Sequence, residues 1–246
     1  MDVIPALRAA TPSGRFGSAG AMARSYVGEA RRPVGRRRDR IRAIIDRLAV
    51  EHADARIALT FASPLELLIS VMLSAQTTDV TVNRVTGALF RKYRRPEDYL
   101  AVTQEELEQD IFQTGFYRQK ARALRGTMKI LVERHGGEVP FAFDELLRLP
   151  GVARKTANVV CAERGDVQGI VVDTHVRRLS QRLGLTREDD PVKIERDLVR
   201  LVPKADWARL PHLLIWHGRR VCDARKPACD TCVLADLCPS ARVPVG

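Results

Sequence analysis

Four cysteines crowd the C-terminal end of this 246-residue chain. They are Cys222, Cys229, Cys232 and Cys238, in the pattern C-x6-C-x2-C-x5-C. Pro227 and Pro239 mark the stretch as loop rather than helix. Four thiolates on one short loop can wrap a [4Fe–4S] cube. Zinc is an alternative, but four-cysteine zinc sites usually pair two C-x2-C knuckles, and only Cys229 and Cys232 form one. Two disulfide bridges are the remaining reading, and they need an oxidising compartment. The spacing favours the iron–sulfur cluster.

A lysine carries the second constellation. Leu149-Pro150-Gly151-Val152-Ala153-Arg154-Lys155-Thr156-Ala157 reads as a short helix, a Pro-Gly turn and a new helix starting near Lys155. Such a helix–hairpin–helix turn exposes backbone N–H groups beside a helix N-terminus, which suits a phosphate. Most lysines are solvated surface charges, but this one sits poorly against the helix macrodipole. The dipole and Arg154 would favour the neutral amine, a candidate Schiff-base nucleophile. Asp173 follows eighteen residues later and reads as a helix N-cap that can also face a substrate. His175, two residues on, suits packing or a phosphate contact.

These residues need a frame, and the composition bounds it. A hydrophobic content of 45% over this length supports one large or two modest cores. The formal charge of +11 points to a polyanionic partner, nucleic acid ahead of membrane. Residues 1–40 supply +6 of it, from nine arginines against three acids. Residues 1–38 are rich in Gly, Ala, Pro, Ser and Arg without periodicity, which predicts a disordered basic arm; an organellar transit peptide is the other reading. The first twenty residues hold no apolar run of the secretory kind. The longest apolar run, Leu65 to Leu73, is broken by Glu66 and Ser70 and is too short to span a bilayer. With reduced cysteines, this suggests a cytoplasmic, nucleoid-associated protein and no membrane partner.

The pattern turns helical from Asp39. Ser63-Pro64-Leu65-Glu66 is a capping box with proline at the first helical position, opening a helix apolar nearly all round. Thr103-Gln104-Glu105-Glu106 is a second box. A helix over Lys120–His135 should stop at Gly136-Gly137. Further helices are expected over Asp144–Leu149, from Asp190-Pro191 with Ile194, Leu198 and Leu201 on one face, and over Trp207–His217. Only Gly169 to Val172 looks strand-like, and it is too short for a sheet. The fold class is all-α.

Taken together, Leu149–Val160, Val172-Asp173-Thr174-His175 and the cysteine loop resemble the endonuclease III family of helix–hairpin–helix DNA glycosylases with AP lyase activity. Leu73-Ser74-Ala75-Gln76-Thr77-Thr78-Asp79 and Thr114-Gly115-Phe116-Tyr117 match two further family segments in order. The resemblance runs from about Asp39 to Pro239. It implies a six-helix domain over residues 58–167, a discontinuous cluster domain over 39–57 and 168–246, and a DNA cleft between them. It makes Lys155 the nucleophile and Asp173 the catalytic carboxylate. Gln76 falls on the residue that fills the gap left by a flipped base. Phe116 falls on an apolar wedge that is usually leucine. Gly151, Ala153, Arg154 and His175 fall on the DNA-binding surface. Cys161 lies outside the ligand pattern and suits helix packing. One departure stands out: the family's second hairpin glycine is Ala153 here. If that position needs a positive φ, alanine costs about 1 kcal/mol there and weakens phosphate binding.

The resemblance implies a monomeric enzyme that removes oxidised pyrimidines from duplex DNA and cuts abasic sites by β-elimination. Arg219, Arg220, Arg225 and Lys226 would shape a basic loop against DNA. An adenine glycosylase of the same superfamily is the near alternative, but it normally lacks the hairpin lysine. A non-catalytic, cluster-bearing DNA-binding protein is the distant one.

Overall fold

The computed structural model of the chain describes residues 24–243. Eleven α-helices order the described residues: α1 (Arg37–Glu51), α2 (Pro64–Leu73), α3 (Asp79–Lys92), α4 (Pro96–Ala101), α5 (Gln104–Asp110), α6 (Tyr117–His135), α7 (Phe143–Leu146), α8 (Arg154–Glu163), α9 (Thr174–Arg182), α10 (Pro191–Leu201) and α11 (Arg209–Arg220). No strand forms among them, and none of these helices is long and apolar enough to cross a membrane. Residues 169–172 form no strand, with Ile170 and Val171 buried.

Local chemistry explains most helix starts. Ser63 Oγ accepts from the Glu66 N–H at 3.2 Å, and the Glu66 carboxylate reaches back to the Ala62 N–H at 2.5 Å. Every residue of α2 from Leu67 to Leu73 is buried, as its all-round apolar pattern requires. Thr103 caps α5, but only half of the expected box forms, because Glu106 turns to Lys92 at 2.7 Å instead. Asp190 caps α10 by accepting from the Lys193 N–H, with Pro191 in its first turn. Helix α6 stops where the Gly137 N–H turns back to the Leu131 carbonyl.

The helices bury two hydrophobic cores. In the first, α2 packs on α3, α6 and α8, with α4 and α5 on α6 and α7 on α8. It closes around Leu68, Leu73, Leu124, Met128 and Val160. In the second, α9 packs on α10 and α11, and α1 crosses the chain to join α10 and α11. Ile44, Leu48, Leu179, Leu198 and Leu214 form its centre.

The expected disordered arm is corrected over its second part. Residues 1–23 lie outside the described residues. Residues 24–36, however, are seated on the second core's surface. The N–H groups of Arg31 and Arg32 both donate to the Pro239 carbonyl at 2.9 and 2.8 Å. The Tyr26 N–H donates to Gln181, and the Arg182 guanidinium lies over the Tyr26 ring and bonds Glu29. Composition predicted no packed core here, and none forms. Polar bonds and one aromatic hold the segment instead.

Candidate active site

The hairpin sets the lysine. Leu149 closes the turn through the Val152 N–H to Leu149 carbonyl bond at 3.1 Å. Gly151 has φ +77°, and an added Cβ would come within 2.8 Å of Ala123, so only glycine fits. Thr127 of α6 holds the turn by donating to the Pro150 carbonyl at 2.8 Å. Ala153 is the N-cap of α8, at φ −88° and ψ 169°. That is ordinary extended backbone, so the expected cost of alanine there does not arise. No side chain caps this helix start, which leaves its first N–H groups open to a ligand. Lys155 follows, exposed, on the first turn.

Lys155 lines a cleft of about 190 Å³ between the two cores. Val71, Ser74, Asp79 and Val159 form one wall with it; Val171, Asp173, Trp207, Ile215 and Arg219 form the other. Asp173 caps α9 through the Val176 N–H at 2.8 Å and lines the same cleft. His175 is half-buried, with Nδ1 3.1 Å from the Arg178 guanidinium. Burial pulls its imidazole below the usual range, opposed by Asp173 and Asp79.

Two residues here escaped the sequence reading as a pair. Asp79 and Arg219 meet at 2.6 Å across the cleft. Asp79 reads locally as a first-turn acid after its cap Thr78, and Arg219 as a basic flank of the cysteine loop. Nothing in a linear pattern joins positions 140 residues apart. Arg154 also differs from expectation. It is fixed by two bonds to Glu195 at 2.9 and 3.0 Å, so its charge is matched there rather than offered to Lys155. Arg220 pairs with Asp54, while Arg225 and Lys226 stay exposed.

Gln76 and Phe116 share a second concavity, on the other side of the hairpin, with Lys120, Gly151 and Ala153. Both side chains are exposed, Phe116 by 63%. They are the only non-glycine residues at positive φ among the described residues, at 55° and 48°. Such backbone is strained and is retained where the surroundings dictate it.

The four loop cysteines are free thiols facing one cavity with Leu179, Arg182 and His217. Burial pushes Cys232 up to about 11 and Cys238 up to about 12, so a thiolate there needs compensating positive charge such as iron. The Arg182 guanidinium lies 3.3 Å from Cys222 Sγ, and His217 Nε2 lies 3.4 Å from Cys232 Sγ. Among the described residues, no three His, Cys, Asp or Glu side chains converge on a point that could hold a single metal ion. Four thiols lining one cavity match a [4Fe–4S] cube, whose irons take one thiolate each. Cys161 is buried in the first core, far along the chain from this cavity.

The comparisons with known proteins agree with this arrangement. Residues 69–204 match the model of the HhH-GPD superfamily of base excision DNA repair proteins. Residues 222–238, from the first loop cysteine to the last, match the iron–sulfur binding domain of endonuclease III. The chain is 51% identical to endonuclease III of Synechocystis, over 76% of this chain and 86% of that one. It is 50% identical to endonuclease III of Bacillus subtilis, over 79% and 89%. Among solved structures, an endonuclease III trapped as a covalent intermediate with DNA superposes with a TM-score of 0.79 at 47% identity, covering 83% of this chain and 96% of that one. A thermostable thymine-DNA glycosylase superposes at 0.72 with 25% identity, covering 82% and 95%. The chain therefore belongs to the endonuclease III family of the HhH-GPD base excision repair superfamily. It carries that family's iron–sulfur binding domain.

Proposed function

We propose that this chain excises oxidised pyrimidines from duplex DNA through Lys155 and then cuts the strand at the resulting abasic site. Activity as a DNA glycosylase and AP lyase follows from membership in the family; the residue roles rest on the site's geometry. The observation that carries them is that Lys155 and Asp173 start helices belonging to different cores and line one cleft.

A damaged base inside the stack is out of reach, so its nucleotide must be extruded. Phe116 wedges into the base stack and Gln76 fills the vacated space. The hairpin N–H groups and the open start of α8 hold the backbone phosphates, with His175 at the cleft wall. The Lys155 amine attacks the sugar C1′ through its nitrogen lone pair, and the bond from C1′ to the base breaks, its electron pair leaving with the base. Asp173 stabilises the positive charge that develops on the sugar and assists proton transfer. The sugar ring opens to a Schiff base on Lys155. Loss of a C2′ proton and rupture of the C3′–O bond then cut the strand 3′ to the lesion.

Cys222, Cys229, Cys232 and Cys238 would each hold one iron of a [4Fe–4S] cluster, which ties the loop into one covalent unit and presents Arg225 and Lys226 to DNA. The proposed enzyme is a monomer working in the cytoplasm at the nucleoid.

Borohydride trapping on an abasic-site duplex tests the reading. Wild-type protein should form a covalent adduct, and Lys155→Ala should lose both adduct and strand cleavage while still binding DNA. Equal trapping by the variant would remove Lys155 from its role. Excision of adenine without any trapping would favour the adenine-glycosylase alternative.

A further inference from the structure

Lys120 is the one lysine the proposed chemistry leaves unused and the fold nonetheless buries, at 8% exposure. It sits in the first turn of α6, where a positive charge opposes the helix dipole. Burial pulls its ammonium down to about 8. A position so poorly suited to a charge needs a reason, and its three N–H groups supply one. They donate to the Leu73 carbonyl at 2.8 Å, to Thr77 Oγ1 at 2.9 Å and to the Thr114 carbonyl at 2.7 Å.

Those acceptors bracket the two strained residues. Leu73 ends α2 just before Gln76, and Thr77 follows it directly. Thr114 lies two residues before Phe116, and Thr77 Oγ1 also bonds its carbonyl. The Lys120 backbone N–H takes the Phe116 carbonyl at 3.0 Å. One side chain thus joins two loops that no continuous helix connects. Two left-handed non-glycine residues facing one concavity persist only under such restraint.

We propose that Lys120 is a positioning residue that locks the Gln76 and Phe116 loops at a fixed separation, so that both side chains enter the duplex together and the target base is extruded. This rests on the DNA-intruding roles given above to Gln76 and Phe116. Lys120 touches neither the sugar nor the base and contributes nothing to bond cleavage. Its removal should therefore matter only when a paired base must be opened.

The test compares single-turnover excision of one oxidised pyrimidine, either paired with adenine or placed opposite an abasic gap where nothing needs opening. Lys120→Met keeps the buried stem and removes all three donors. It should slow excision of the paired lesion by about tenfold or more, as loss of a near-attack arrangement does, and change the unpaired rate by less than about twofold. Fluorescence of 2-aminopurine beside the lesion should rise less on binding. Thr77→Val, a milder cut of the same link, should shift the paired rate in the same direction by about threefold, and it decides the matter if Lys120→Met does not fold. Equal losses on both substrates, or no loss on either, would overturn the proposal. If wild-type protein fails to trap on an abasic site, the underlying catalytic reading fails instead, and the two failures are distinct.

Discussion

The two cores bury different chemistry. Around the first, the buried polar side chains are mostly small and neutral: Ser70, Thr86, Thr114, Thr127 and Asn158, with Lys120 the exception. Around the second, they include Arg40, Arg178, Arg182, Glu195, Asp206, His52 and His217. The difference follows from what each must support. The first core is wrapped by helices that satisfy their own backbone. The second must also hold residues 221–243, a stretch with no helix and many carbonyls that need donors. Guanidinium groups meet several of them and tie them to neighbouring carbonyls outside the stretch, those of Gly218 and Leu183. Arg178 donates to the Gly218 and Cys222 carbonyls, Arg182 to Asp223 and Ala224, and Arg40 to Leu183 and Leu237. The first half therefore depends on packing, and the second on guanidinium-to-carbonyl bonds that hold the cysteine loop.

The widest test of that contrast sets one variant in each half. Cys238→Ala should lose iron and the broad visible absorbance, and limited proteolysis should then cut within residues 221–243. Leu124→Ala, in the centre of the first core, should lose about 2–5 kcal/mol of stability by denaturant unfolding with full iron content retained. Iron retained by the cysteine variant, or lost by the leucine variant, would break the division of labour.

The smallest stability effect is expected at the cleft, where catalysis and folding separate. Asp173→Asn should move stability by less than about 0.5 kcal/mol, because asparagine caps as well as aspartate. Excision should nonetheless fall by about a hundredfold or more, since the carboxylate charge is gone. A lower melting temperature with unchanged excision would make Asp173 a cap alone.

Much of this was legible in the linear sequence wherever the deciding interaction spans three or four residues. The caps at Ser63, Asp173 and Asp190, the Pro-Gly hairpin before Lys155 and the cysteine spacing are all of that kind. Helix α3 was less legible, because its polar first turn hides the buried stripe of Val82, Val85 and Leu89. Tertiary structure alone decided the rest. It paired Asp79 with Arg219, turned Arg154 to Glu195, seated residues 24–36 against Pro239 and buried Lys120 between two loops. It also placed Ala153 in extended backbone, which the missing glycine had put in question. The physical reason is range. A cap or turn is settled by hydrogen bonds its own neighbours make, whereas these contacts join residues some 40 to 200 positions apart and exist only once both cores have closed.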